Sequence, residues 1–218
     1  MGDGERFELN HLGLGDVSLR CGDLATETSD VLVNEANNHL QMTGGVAGAL
    51  RAAGGVEIHK EAIAMAPVAV GRVIRTGSGR LNANVVYHAI TKDYELDRGL
   101  SGKVVTTVVK ACLEMAREDD ATSICFPLFG AGGGSDLFGM EMPIAALIEG
   151  LEAAGLEDGE GPEIRIFVRD PDEFAEARTI LEGLNAGAAR RDEESKLAED
   201  FMAQLLGEMG DVGDLDFG

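Results

Sequence analysis

The sequence predicts an α/β fold in which a largely parallel sheet is covered by helices on both faces. Three observations carry this. Short apolar runs alternate with helical patterns along the chain, which implies crossover connections between parallel strands. Each strong run leads into a segment rich in Gly, Asn or other polar residues, as buried strands do at their ends. The composition, 44% hydrophobic and 26% charged with 30 Gly and only 5 Pro, describes a packed globule with many tight backbone positions.

The strands come first. Val31-Leu32-Val33, Val85-Val86-Tyr87 and Ile124-Cys125-Phe126 read as buried strands, and Ile164-Arg165-Ile166-Phe167-Val168 as a fourth that ends at Arg169-Asp170-Pro171. Weaker candidates at Val17–Cys21 and 73–75 bring the sheet to about six strands, with 7–9 as a further candidate. Helical patterns fall at 45–53, 56–66, 101–118, 143–154 and 172–184. In the third, Val104, Val105, Val108, Val109, Cys112 and Met115 recur at helical spacing, so one stripe faces the sheet while Lys103, Lys110 and Glu114 face water. Ser101 is its expected N-cap.

A chain of 218 residues holds one ordinary domain, expected at 1–186, and an appendage at 187–218. From about Gly187 the composition changes to Arg190-Arg191-Asp192-Glu193-Glu194. A short helical pattern with Leu197, Phe201 and Leu205 and an acidic end follow. A capping helix with a frayed acidic end and an amphipathic segment for an unknown protein partner both fit this tail. No stretch approaches the roughly 18 apolar residues of a membrane span, and the acidic start lacks the features of a signal peptide, so the expected compartment is the cytoplasm. Cys21, Cys112 and Cys125 are odd in number and set among apolar neighbours, which predicts buried free thiols and no metal. A formal net charge of -21 opposes general nucleic-acid binding, whose affinity comes largely from Lys and Arg at phosphates.

Ligands of a parallel sheet bind beyond the carboxyl ends of its strands. Two glycine-rich segments are expected there. In the first, Val33 leads through Asn34-Glu35-Ala36-Asn37-Asn38-His39-Leu40-Gln41-Met42-Thr43 to Gly44-Gly45-Val46-Ala47-Gly48, which opens a helix. Glycines there let backbone N–H groups and a helix N-terminus face a phosphate. The second runs from Phe126-Pro127-Leu128-Phe129 into Gly130-Ala131-Gly132-Gly133-Gly134-Ser135-Asp136, a close backbone cradle. Either segment alone also reads as a flexible turn, and two on one sheet favour the ligand-binding reading. No Gly-Lys-Ser/Thr follows either segment, and neither has Gly-x-Gly-x-x-Gly spacing. Both the P-loop and the dinucleotide fold are therefore excluded.

Gly22-Asp23-Leu24, Val33-Asn34-Glu35-Ala36-Asn37, Gly44-Gly45-Val46-Ala47-Gly48-Ala49-Leu50 and Phe126-Pro127-Leu128-Phe129-Gly130-Ala131-Gly132 stand in an order and spacing that resemble the macrodomain, over about residues 5–186. The resemblance implies a three-layer α/β/α sandwich with a mixed, mostly parallel sheet and a cleft that holds ADP-ribose. Asp23 would accept from the adenine amino group with the Leu24 backbone beside it, although an Asx turn after Gly22 also explains Asp23. Asn37 matches the asparagine at the distal ribose and is the expected catalytic residue, and Asn34 matches the one that holds the loop. Gly44, Gly45, Val46 and Ala47 would embrace one phosphate, and Gly130, Ala131, Gly132, Gly133 and Gly134 the other. Phe138 either covers the distal ribose or packs in the core. No cofactor is implied.

Departures from the family pattern leave two functions open. Ala47 and Arg51 stand where many hydrolytic members carry an Asp and a His, so the acidic water activator is missing. The implied function is binding of ADP-ribose with weak hydrolysis of its derivatives, O-acetyl-ADP-ribose or mono-ADP-ribosylated protein. The alternative is a reader that performs no chemistry. Met42 and Thr43 replace two further glycines and are expected to add bulk near the distal ribose. Asp136 reads as a loop or N-cap aspartate and otherwise as an acid near the phosphate; His39 reads as a polar loop residue and otherwise as an acid or base. Arg169 falls where the family often places an aromatic against adenine; it either stacks on the base or pairs with Asp170 or Asp172. His88 reads as a core residue.

Overall fold

The structure, a computed structural model, describes residues 5–9, 13–96, 100–131, 139–155 and 161–210. Seven strands form one sheet: β1 (Arg6–Glu8), β2 (Val17–Cys21), β3 (Ser29–Asn37), β4 (Val73–Gly77), β5 (Ala83–Lys92), β6 (Ser123–Pro127) and β7 (Glu163–Val168), in the order β1-β2-β7-β6-β3-β5-β4. The five central strands pair in parallel, and β1 and β4 close the two edges antiparallel. The sheet is thus mixed and mostly parallel, as expected, with seven strands rather than about six. The edge strands give weak sequence signals because each is short and only partly buried.

The helices are α1 (Gly45–Gly54), α2 (Val56–Ala64), α3 (Gly102–Glu118), α4 (Glu141–Ala153) and α5 (Pro171–Gly210). Alternate residues of the central strands feed two cores. Val31, Val33, Tyr87, Phe126 and Ile166 pack with α3, α4 and α5 on one face. Leu32, Val86, Cys125 and Phe167 pack with Leu50 and Ile58 of α1 and α2 on the other. Burial on both faces is why these strands read as continuous apolar runs. The result is the three-layer α/β/α sandwich.

Several local expectations change. Ser101 holds the N-cap position of α3 in extended backbone, but its side chain makes no capping bond. Cys112 and Cys125 are buried free thiols, pushed up by burial, Cys125 to about 11; Cys21 is a free thiol only half-buried. Helix α5 continues without a break across Gly187. Its residues Phe174, Ala177 and Leu181 join the core, Ala188 is also buried, and Leu197 is exposed. Among the described residues no helix is long and apolar enough to cross a membrane, and no group of three or more His, Cys, Asp or Glu could hold a metal.

Candidate functional site

A cavity of about 480 Å³ opens at the carboxyl ends of the parallel strands, within the usual range for small-molecule sites. Gly22, Asp23 and Leu24 after β2 line one end, together with Phe167, Val168 and Arg169 of the β7 end. Gly44, Gly45, Val46 and Ala47 line the middle at the start of α1. Glu35 of β3, Lys92 of β5 and Leu128 and Ala131 after β6 complete the lining.

Asp23 caps the short 3-10 turn Leu24–Thr26: its Oδ1 accepts from Ala25 N at 3.0 Å. The Asx turn is therefore present, and Oδ2 lies 3.8 Å from Nη2 of Arg169, which lines the cavity with Asp23. The partner of Arg169 is Asp23 rather than Asp170 or Asp172. Asp170 instead accepts from the Asp172 and Glu173 N–H groups and starts α5. The guanidinium of Arg169 is 77% exposed, so this pair is weak and easily displaced.

Gly44 is the N-cap of α1 and has no side chain to satisfy the first-turn N–H groups. Gly45 takes φ +56, the left-handed region that favours glycine. Orphan N–H groups and the positive end of the helix dipole therefore face the cavity, an arrangement suited to an anion. Ala47 is 7% exposed and brings no carboxylate. Met42, expected near the ligand, is instead buried in the core beneath α1, and Thr43 lines a separate groove.

The two asparagines act differently. Asn37 Oδ1 accepts from His39 N at 3.0 Å and Gln41 N at 3.3 Å, which organises the loop after β3. Asn34 is 1% exposed, and its Nδ2 lies 3.0 Å from His88 Nδ1. It braces β3 against β5 rather than the loop. The far ring nitrogen of His88 lies 2.9 Å from Thr76 Oγ1, and that hydroxyl donates to Gly77 O at 3.1 Å. These partners assign the neutral tautomer with Nε2–H donating to Thr76. Burial holds His88 down at about 4, as suits a core histidine. His39 Nε2 pairs with Glu95 on the surface.

Sequence reasoning missed Glu35, Lys92 and Phe167. Glu35 Oε1 accepts from Thr91 Oγ1 at 3.1 Å and pairs with Lys92 Nζ at 3.2 Å; Oε2 accepts from Gly130 N at 3.1 Å. An acid inside a buried strand was the available signal. Phe167 is the aromatic of this end of the cavity, two residues before Arg169 and 3.8 Å from a Cβ built on Gly22. Gly130 touches the site through Glu35, and Ala131 lines it. Gly132, Gly133, Gly134, Asp136 and Phe138 lie outside the described residues.

The chain matches the family profile described as Macro domain over residues 33–138. It is 36% identical over 159 residues to an uncharacterised protein of Aeropyrum pernix, covering 71% of this chain and 80% of that one. It is 32% identical over 125 residues to an uncharacterised protein of Mycobacterium tuberculosis, of which it spans 34%. Among solved structures, the Oceanobacillus iheyensis macrodomain with ADP superposes with a TM-score of 0.69 at 20% identity, covering 83% of this chain and 96% of that one. The Trypanosoma brucei macrodomain in complex with ADP-ribose gives 0.67 at 19%, covering 79% and 72%. On the profile match and the shared fold of these solved structures, the chain belongs to the macrodomain family.

Proposed function

We propose that the cavity binds ADP-ribose, free or attached to a protein, and that the chain slowly hydrolyses ADP-ribose derivatives such as O-acetyl-ADP-ribose or mono-ADP-ribosylated protein. One observation carries the reading: the uncapped N-terminus of α1 at Gly44 and Gly45 opens onto the same cavity as the Asp23 carboxylate. Adenine would rest by Phe167 with its amino group on Asp23 Oδ2, and the Leu24 backbone beside it. The α1 N-terminus through Ala47 would take one phosphate, and the segment from Gly130 and Ala131 the other. The distal ribose would reach the β3 end, where Asn37 keeps an amide N–H pair and Lys92 is its neighbour across the strands.

Slow turnover follows from the carboxylates. Ala47 leaves the first turn of α1 without an acid, and both oxygens of Glu35 are engaged by Thr91, Lys92 and Gly130. Losing a general base costs about 10²–10⁴-fold in rate. The same fact favours a second reading, a reader that binds without chemistry. Titration calorimetry with ADP-ribose, AMP as comparison and Asp23→Ala as control tests the site. Expected is binding of ADP-ribose that Asp23→Ala weakens at least tenfold; no binding to the unaltered chain rejects the proposal. A turnover assay on both substrates then separates enzyme from reader.

A further inference from the structure

A shallow, open groove of about 460 Å³ lies across α1 from the first cavity. Along this helix Gly45 and Ala49 line the first cavity, whereas Gly48, Arg51 and Ala52 line the second, so the helix divides them. The charged residues in the second lining are Arg51 and Arg80, both cationic. This is against the average of a chain with 39 acidic and 18 basic residues. Elsewhere Arg20, Arg75, Arg165 and Arg178 each face a carboxylate. Arg51 and Arg80 form no ion pair among the described residues.

Their positions are built by the backbone. Arg80 N donates to Gly54 O at 2.9 Å, and Gly55 N to Arg51 O at 2.9 Å, so backbone donors already occupy the carbonyls at the end of α1. The Arg80 guanidinium is then left lying over Gly55, its Nη1 3.4 Å from a Cβ built there. The Arg51 guanidinium has one long contact, to Met42 O at 3.5 Å. Gly55 is also the N-cap of α2 and supplies no side-chain cap, so first-turn N–H groups start at the groove's Val56. Thr43 adds an exposed hydroxyl.

We infer that this groove is a phosphate-binding site separate from the ADP-ribose cavity. Two guanidinium forks, a hydroxyl and the uncapped start of α2 line one groove. A tetrahedral phosphate can accept from all of them, whereas a planar carboxylate suits one fork. The ligand class is a phosphorylated small molecule or a phosphate carried by a substrate.

The test is titration of inorganic pyrophosphate into the full chain at low salt, followed by amide and arginine side-chain NMR shifts, with Arg80→Ala, Arg80→Lys and Asp23→Ala alongside. Expected are saturable shifts at Thr43, Gly55, Val56 and both arginine side chains, with affinity falling about tenfold or more in Arg80→Ala. Arg80→Lys should keep part of it and Asp23→Ala all of it. Arg80 is exposed, so Arg80→Ala should melt with the unaltered chain. Shifts confined to residues 44–47, unchanged affinity in Arg80→Ala, or tighter binding of an aspartate-rich peptide than of pyrophosphate would each overturn the assignment. Asp23→Ala and Arg80→Ala report on different cavities, so failure of ADP-ribose binding in the first leaves this result standing.

Discussion

Glu35 in the middle of the sheet accepts a hydrogen bond at 3.1 Å from the backbone N–H of Gly130, the residue that opens the second glycine-rich segment. A strand therefore fixes the start of that segment through one carboxylate, and Lys92 balances its charge. Glycine suits this position because its φ is +82, in the left-handed region where other residues are strained, whereas the nearby Leu100 Cδ2 is the end of a side chain that can move aside. Glu35→Ala should destabilise the fold by about 1–3 kcal/mol and weaken ADP-ribose about tenfold. Glu35→Gln keeps an acceptor for Gly130 and should lose less than about 1 kcal/mol. Urea unfolding and calorimetry on both variants check this; equal ADP-ribose affinity in Glu35→Ala and the unaltered chain would show that the tether does not shape the site.

The Asn34, His88 and Thr76 chain makes stability depend on pH in a stated direction. His88 is held at about 4 in the folded chain and regains its ordinary 6.5 when unfolded. Between those values the unfolded chain binds the extra proton, so this contribution is whole above 6.5 and is lost as pH falls toward 4. The loss amounts to about 3 kcal/mol at pH 4. Burial and the Arg51 charge also lower His59, which acts in the same direction. Asp30, lowered by its bonds to Thr122 and Ser123, contributes only in more acidic solution. Urea midpoints from pH 7.5 to 4.5 should fall steadily, and His88→Gln should flatten that slope while lowering stability at pH 7.5. An unchanged slope in the variant would remove His88 as the cause.

The strands and the glycine segments were legible because their signals are local, but the site's side chains were not. Asn34, Glu35 and Asn37 looked like the start of a loop, yet β3 runs through them to Asn37: His88 meets the Asn34 amide nitrogen and Thr91, Lys92 and Gly130 meet the Glu35 carboxylate from other segments, and only Asn37 turns its side-chain oxygen to the loop. Phe167 and Gly22 meet only because β7 and β2 are sheet neighbours although far apart in sequence. In α5 the change of composition at Gly187 suggested a break. The residues beyond it, rich in Ala, Arg, Glu and Leu, favour helix, and the backbone continues to Gly210.

Gly79 tests how the β4–β5 hairpin docks on α1. It takes φ +60, and a Cβ built there would lie 2.3 Å from Gly54 O, a backbone atom that cannot swing aside. Gly79→Ala should therefore cost about 3 kcal/mol from left-handed strain and the displaced hairpin together. Because the displacement carries Arg80 away from Gly55, pyrophosphate affinity should fall with it. A midpoint within about 0.5 kcal/mol of the unaltered chain in urea unfolding would show that the hairpin is not held there.

The outer part of α5 offers the last expectation. Ala188 is the last buried residue described on this helix, and Arg190, Arg191, Glu193, Lys196 and Leu197 are exposed. The cavity proposed for ADP-ribose takes its contribution from α5 at Glu173, in the first turn, on the far side of the buried positions Phe174 to Ala188. Removing residues 192–218 therefore exposes little described apolar surface and touches no lining residue. ADP-ribose affinity should stay within about twofold and stability within about 0.5 kcal/mol, the usual range for surface changes. Calorimetry and urea unfolding on the shortened chain measure both. A tenfold loss of affinity at unchanged stability would mean that the distal segment folds back over the cavity, and that the appendage belongs to the site.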